Sequence, residues 1–352
     1  MRDRTSAAGV ALRPHLKTAK CARIAELATR ADYRAVTVST LAEAEYFLAQ
    51  GFADITYAVC MAPGKLARAI DLVRAGAKLS LLVDSIAVAT ELARGAAMAD
   101  AHLSVLVEID SGEHRTGVAW DAPVLVDIAR AIDEASHLRL AGVLTHGGHS
   151  YNCKSVADIV AVAEEERLAV VSAAERVRAA GLPCDVVSAG STPTAVHGRS
   201  FAGLSEIRPG VYMFMDLAQH GLGVCDWRDI AVSVLATVIS QQPAHGRIII
   251  DAGGLALSKD TSANRRLPGA GYGWLLDMAG QRRLGDLRVA AVDQEHGFVE
   301  GADLPHHELP VGTKVRVLPN HACMTAAAYD EYAVVAGPEP TVVDTWPRMN
   351  GW

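Results

Sequence analysis

The sequence predicts a (β/α)8 barrel of the TIM type followed by a smaller, β-rich C-terminal domain. Three observations carry that expectation. Short apolar strand-like runs alternate with longer Ala/Leu-rich helical stretches from residue 11 to about 216. Several of those runs are apolar at nearly every position, as happens when helices cover both faces of a parallel sheet. After residue 221 the texture changes to short β-branched runs broken by glycine, with little helical periodicity. Eight strands alternating with helices over about 200 residues favour a closed barrel over an open doubly wound sheet. The expected domains are residues 1–220 and 221–352.

In chain order the strand candidates are "ALRPHLKT", "YRAVTVST", "DITYAVCM", "KLSLLVDS", "LSVLVEID", "LAGVLTHGG", "CDVVSAGS" and "EIRPGVYMF". Between them, stretches such as "LAEAEYFLAQG" and "DAPVLVDIARAIDEA" repeat their apolar residues every three or four positions, the period of an amphipathic helix. The second domain is expected from "DIAVSVLATVISQQPAHGRIIIDAGGLALS", "LRVAAVDQEHGFVE", "GTKVRVLPNHACMT", "YAVVAG" and "PTVVDTW". No repeat beyond the strand–helix alternation is present.

Composition narrows the function. The net charge of −7 argues against nucleic acid or an anionic membrane as the main partner, because both are held through basic patches. No apolar run approaches the roughly 20 residues of a spanning helix, and "MRDRTSAAGV" lacks the apolar centre of a signal peptide. Six scattered cysteines without a CxxC pair suit free thiols in a reducing cytoplasm. A cytoplasmic enzyme acting on a small molecule is the expectation.

In such barrels the chemistry gathers at the C-terminal ends of the strands. The polar residues collect there: "RPHLKTAK", "EIDSGEHRTG", "LTHGGHSYN", "SAGSTPTA" and "RPGVYMFMD" each put His, Lys, Arg, Ser/Thr or Tyr beside glycine. Lys17 ends a strand otherwise built for burial, and a partly desolvated lysine is a usable amine for a Schiff base. The competing reading, a surface lysine, is the one that suits Lys20. The ends "AGSTPTA" and "RPGVY" offer backbone N–H groups and hydroxyls for an anion, where barrels often bind phosphate. Near the C-terminus "VLPNHACMT" sets His321 and Cys323 one residue apart. Two donors are too few for a structural zinc site, which takes four.

"LRPHLKTAK" resembles the cofactor-lysine motif of the alanine-racemase-like pyridoxal-phosphate enzymes, in the branch with D-serine dehydratase, D-threonine aldolase and D-threo-3-hydroxyaspartate dehydratase. The resemblance continues through "TVSTLAEAEYFLAQGFADITYAV", "LTHGGHSYNC", "VSAGSTPTA", "EIRPGVYMFMD", "DAGGLALSKD", "QEHG", "PNHAC" and "TWPRMNGW", nearly the whole chain. It implies that Lys17 carries pyridoxal phosphate through its amine. It implies a phosphate held by Gly190, Ser191 and Thr192 with Gly210 and Tyr212. Arg115 and Tyr151 become candidates for the pyridine ring or its oxygen, with His146 packed nearby. His321 and Cys323 match the His-x-Cys zinc pair of the dehydratases, zinc or another divalent ion being the second cofactor; the aldolases carry a His-Cys-Asp run instead.

The activity so implied is loss of water from a D-3-hydroxyamino acid, giving a 2-oxo acid and ammonia from D-threo-3-hydroxyaspartate or D-serine. Lys17 would act at the Cα–H, the cofactor ring as electron sink, and the metal as a Lewis acid on the departing hydroxyl. Substrate and water would then complete the ligand set that His321 and Cys323 begin. Three rivals stand beside it. An aldolase would release glycine and an aldehyde; a non-catalytic pyridoxal-phosphate carrier would have no use for residues 221–352; a racemase would need an opposed tyrosine base, which is not evident.

The family also implies a homodimer. Its members usually carry a further strand and helix before the lysine strand, where this chain has sixteen residues, so either those elements are missing or the start lies upstream. Glu295 and His296 of "QEHG" could reach substrate or simply form a loop. His114 is expected at the barrel rim, His306 and His307 in an exposed loop, and Asp251 and Asp260 shaping the β domain or a dimer interface. The other five cysteines are expected to pack rather than react.

Overall fold

A computed structural model of the chain describes residues 1–29, 33–337 and 341–351. Trp352, which ends the "TWPRMNGW" motif, and Pro340, which begins "PTVVDTW", lie outside them. The chain divides into two compact units, Met1–Gly210 and Val211–Gly351, so residues 211–220 group with the second unit.

The first unit is a parallel barrel. Its strands are β1 (Ala11–Leu12), β2 (Ala35–Val38), β3 (Asp54–Cys60), β4 (Lys78–Val83), β5 (Leu103–Asp110), the two-residue β6 (Val118–Ala119), β7 (Leu138–Thr145), β8 (Val186–Ala189) and β9 (Glu206–Ile207). They run in the order β1-β9-β8-β7-β5-β4-β3-β2, with β6 an appendage on β5. All eight expected strands are present; only β6, too short to show a period, was not foreseen. The circuit closes where the chain after β1 meets β2. His15 bridges Thr37, Leu16 N–H donates to Thr37 O at 2.9 Å, and Thr37 N–H donates to Pro14 O at 2.9 Å. The barrel therefore closes on a few hydrogen bonds at the segment that carries Lys17.

The strands read as apolar because both faces are covered. All four residues of β2 are buried, and in β7 Arg139 alone is exposed. Return helices start at hydroxyl caps: Thr40, Ser85 and Ser155 accept the backbone N–H of Glu43, Val88 and Asp158, each cap contributing about 1 kcal/mol.

The second unit is a closed antiparallel barrel of β10 (Val234–Gln242), β11 (Arg247–Ile250), β12 (Gly273–Leu276), β13 (Arg283–Val292), β14 (Gly297–Glu300) and β15 (Lys314–Pro319), ordered β10-β11-β14-β13-β12-β15. Along β10, Val234, Ala236 and Val238 are buried while Leu235 faces out, the period of two that a half-buried strand requires. Those residues join Ile248, Ile250, Leu275, Val289 and Val317 in one core. A separate two-stranded ladder of β16 (Glu331–Val335) and β17 (Val342–Pro347) follows. β12, "GWLL", was not foreseen; four residues behind a glycine-rich loop are too few to display alternation.

Candidate active site

The strand ends of the first unit surround a cavity of about 470 Å³. Its wall includes Lys17 beyond β1, Cys60 of β3, Glu108 of β5, Arg115 beyond β5, His146 beyond β7 and Arg208 beyond β9. The strand-end expectation thus brings Lys17, Arg115 and His146 together. Lys17 is exposed in this cavity rather than desolvated, which corrects the burial expected for it. Lys20 differs in the other direction. It is mostly buried and pairs with the buried Glu43 at 3.2 Å.

Two histidines flank the lysine. His15 Nδ1 accepts the Lys17 backbone N–H at 3.4 Å, which leaves Nε2–H to face Ser39 Oγ at 3.4 Å. Desolvation, then the charges of Lys17 and Arg208, hold His15 well below its ordinary pKa. His146 is depressed for the same reasons, by desolvation first and then Lys17, Arg115 and Arg208, against a hydrogen bond to the Gly190 backbone. Both rings are neutral at pH 7. Tyr151 stands on the 3-10 turn Gly148–Asn152, its ring centroid 6.5 Å from that of His146. Arg115 is half-exposed and 3.5 Å from Glu113.

Arg208 is a cavity-lining residue that sequence reasoning missed. It is 4 % exposed. One terminal nitrogen donates to Ser188 Oγ and the other to the Thr145 carbonyl, both at 2.7 Å. Ser188 Oγ in turn donates to Glu206 at 2.6 Å, and Glu206 is bound by Arg13 at 2.7 Å. Burial presses the Arg208 pKa down to about 10, which leaves it cationic at neutral pH. Its Nε is buried and has no hydrogen-bond partner among the described residues. A buried N–H without an acceptor costs roughly 1–3 kcal/mol, so this donor, on a residue of the cavity wall, suits a ligand that brings a ring or carboxylate acceptor. The arginine lay in plain view in "EIRPGVYMF", but a strand-end arginine reads as readily as a solvated one.

The glycine-rich ends, expected to hold a phosphate, are not among the residues that line this cavity. Gly190 sits at φ +109, a conformation that side chains rarely adopt, and its N–H donates to Glu166 Oε1 at 3.0 Å. Ser191 caps the helix Thr192–His197, and its hydroxyl meets Ser150 Oγ at 2.8 Å. Thr192 is fully buried. At Gly210 a Cβ would lie 2.8 Å from the His15 carbonyl, so only glycine lets this segment approach the lysine loop. Tyr212 lies on the turn Val211–Met213, the first residues of the second unit. Glu166, on the helix Val156–Ala179, was not anticipated; within "AEEERLAVV" it reads as part of a charged helix face.

His321 and Cys323 belong to the second unit, at the start of the short helix Ala322–Ala326. His321 Nδ1 lies 2.7 Å from Asp260 Oδ2, and the same ring hydrogen-bonds the Cys323 side chain. Burial alone would lower the His321 pKa, but Cys323, Asp216 and Asp260 together push it up to about 10. Histidine and thiol thus converge as two donors of the type zinc takes. No group of three or more His, Cys, Asp or Glu with metal-ligand geometry occurs among the described residues. Such a pair fits an open ion site, not a closed structural one.

The remaining polar candidates resolve simply. Glu295 and His296 are exposed between β13 and β14. His114 is exposed and pairs with Asp110 at 2.7 Å. His307 is exposed and His306 partly so. Asp251 accepts the Thr237 N–H at 2.7 Å. All six cysteines are unpaired by disulfide. Cys60 donates to Glu108 at 2.9 Å, and burial with that carboxylate raises its pKa, which makes it a poor nucleophile.

Residues 1–218 match the model of the alanine racemase N-terminal domain, and residues 231–335 that of the putative serine dehydratase domain. The chain is 44% identical to the D-threo-3-hydroxyaspartate dehydratase of Delftia sp. (strain HT23), over 100% of this chain and 93% of the relative. It superposes on that enzyme's solved structure with a TM-score of 0.96 over 100% of this chain and 93% of the other. A cysteine-to-alanine variant of a D-threo-3-hydroxyaspartate dehydratase, solved in a metal-free form, matches with a TM-score of 0.95 and 44% identity over the same shares. A D-serine dehydratase of Dictyostelium discoideum is 32% identical over 100% of this chain and 93% of its own length.

Proposed function

The chain belongs to the alanine-racemase-like family of pyridoxal-phosphate enzymes, in the branch with a serine-dehydratase domain, and on that premise we propose that it is a zinc-dependent D-3-hydroxyamino-acid dehydratase. The substrate proposed first is D-threo-3-hydroxyaspartate, which the 44% identity to the Delftia enzyme supports; D-serine is second. The observation that carries the reading is the cavity at the strand ends, lined by Lys17 and by Arg208, whose buried Nε has no partner among the described residues.

In this reading Lys17 holds the cofactor through its amine. Gly190, Ser191, Thr192, Gly210 and Tyr212 hold the phosphate, and Arg208 offers Nε–H to the ring. Arg115 and Tyr151 border the ring, with His146 beside them, uncharged and so adding no proton of its own at neutral pH. Pyridoxal phosphate supplies the electron sink for charge formed at Cα. Lys17 Nζ, at the cavity lining, would be the base for the Cα proton. His321 and Cys323 would hold a divalent ion, which would supply the Lewis acid that a hydroxide leaving group needs. Water leaves from Cβ and a water returns on hydrolysis, so substrate becomes a 2-oxo acid plus ammonia with atoms conserved.

No helix among the described residues is long and apolar enough to cross a membrane. A cytoplasmic homodimer is part of the proposal, supported by cysteines that form no disulfide and by the family. The test is an assay of 2-oxo acid and ammonia from both D-substrates, with protein loaded with pyridoxal phosphate and zinc. Release of neither overturns the proposal; glycine with glyoxylate in place of ammonia would make the protein an aldolase.

A further inference from the structure

Asp260 stands 61 residues before His321 in the sequence, yet its Oδ2 is 2.7 Å from His321 Nδ1. A carboxylate only accepts, so the imidazole donates from Nδ1, and Nε2 is the nitrogen left to ligate once a metal ion displaces its proton. The second carboxylate oxygen is also committed: Asp260 Oδ1 accepts the Ser262 N–H at 2.7 Å. Asp260 is thus fixed as a hydrogen-bond partner and is not spare as a third ligand. The chain turns toward this position through Ser258, whose φ of +66 is unusual for a residue with a side chain.

The loop on the histidine side is pinned as firmly. Asp216 is fully buried and accepts the N–H of Ala322, the residue between the two donors, at 2.9 Å. Its other oxygen accepts the Gln219 N–H at 2.9 Å. Asn320, also fully buried, accepts from Ala263 N–H at 2.9 Å and donates to Gly271 O at 2.6 Å. Asp216 and Asn320 hold the backbone of the pair, while Asp260 is the carboxylate that accepts the ring's Nδ1–H.

We infer that Asp260 is a positioning residue for metal binding: it orients the His321 ring and fixes the proton on Nδ1, so that Nε2 is delivered as a ligand beside Cys323. The inference rests on reading His321 and Cys323 as the metal pair. Removing such an outer partner typically costs 10–100-fold in metal affinity.

The test uses protein loaded with pyridoxal phosphate and measures zinc affinity by chelator competition. Cobalt substitution gives a spectroscopic readout of thiolate ligation. Asp260→Ala is expected to bind zinc about 10–100-fold more weakly, with cofactor content unchanged. Asp260→Asn keeps an acceptor oxygen for Nδ1–H and is expected to recover most of the loss. Wild-type affinity in Asp260→Ala, or no recovery in Asp260→Asn, overturns the inference. If Asp260→Ala does not fold, Asp260→Ser decides, because its shorter side chain does not reach Nδ1; wild-type affinity there overturns it equally. His321→Ala separates the two levels. If it binds zinc as well as wild type, the metal-pair reading itself fails; if it loses zinc while Asp260→Ala does not, only the role of Asp260 fails.

Discussion

Glu166 Oε1 accepts the backbone N–H of Gly190 at 3.0 Å, and the same oxygen accepts the N–H of Gly147 at 2.5 Å. One buried carboxylate thus ties the loop after β7 to the loop after β8, the two segments proposed to border the cofactor. Burial raises its pKa, although the Thr194 hydroxyl and both N–H groups work against that rise. Glu166→Ala strands two buried donors, each costing about 1–3 kcal/mol. The expected loss is about 3 kcal/mol of unfolding free energy, read from denaturant melts of the cofactor-free protein, with weaker binding of pyridoxal phosphate. Glu166→Gln keeps the accepting oxygen and should lose less than half as much. Equal losses in the two variants would show that the bonds to the loops are not what matters.

Lys17 carries the sharpest prediction about chemistry. Lys17→Ala is expected to lower 2-oxo acid release by at least about 100-fold, the usual minimum for removing a positioned base. The visible absorbance of lysine-bound pyridoxal phosphate should vanish while the fold, followed by circular dichroism, is retained. A variant with a tenth of wild-type activity would remove Lys17 from its proposed role.

The metal pair separates from the cofactor experimentally. His321→Ala and Cys323→Ala should each lose zinc and dehydratase activity while keeping stoichiometric pyridoxal phosphate, read by metal analysis and absorbance on one sample. Chelation of the wild type should abolish activity, and added zinc should restore it. Activity that persists in zinc-free protein contradicts the Lewis-acid role.

His15 and His146 make the cofactor-free protein acid-sensitive. Both fold as neutral rings with depressed pKa, desolvated and facing Lys17, Arg115 and Arg208. The unfolded chain takes up their protons near pH 6.5 while the folded chain does not, so unfolding gains protons and stability falls as pH drops below that value. Each contributes a slope of about 1.4 kcal/mol per pH unit. Urea midpoints between pH 7.5 and 5.5 should show this decline, and His146→Phe should remove about half of the slope. A midpoint that is flat over this range would mean the rings are not held neutral.

The backbone plan was the more legible part. Near-continuous apolar strands and helical periodicity reveal a parallel barrel because burial on both faces removes the polar positions that would blur the pattern. In the site, Lys17 was visible because strand ends are where polar residues interrupt apolar runs, whereas Arg115 and His146 were named through the family resemblance. Glu166, Arg208 and Asp260 were not singled out as functional, and for one reason. Their telling partners come from far along the chain: Gly147 and Gly190 for the buried Glu166, Ser188 and Thr145 for the buried Arg208, and His321 for the partly exposed Asp260. Local sequence shows only a glutamate among glutamates, an arginine at a strand end and an aspartate in a loop. The eclipsed signal is three-dimensional, and no period in the sequence encodes it.

The closed ring of β10 through β15 has a bearing on how the protein behaves when crowded. A sheet joined to itself presents no row of unpaired N–H and C=O groups, so it cannot template the addition of a strand from another chain. Within the second unit that exposure is confined, among the described residues, to the separate ladder of β16 and β17, where Val342 and Val343 are also solvent-facing. Self-association through backbone pairing, if provoked by heat or partial unfolding, would start at that ladder, and a lysine at position 343 is where a solubilising substitution belongs.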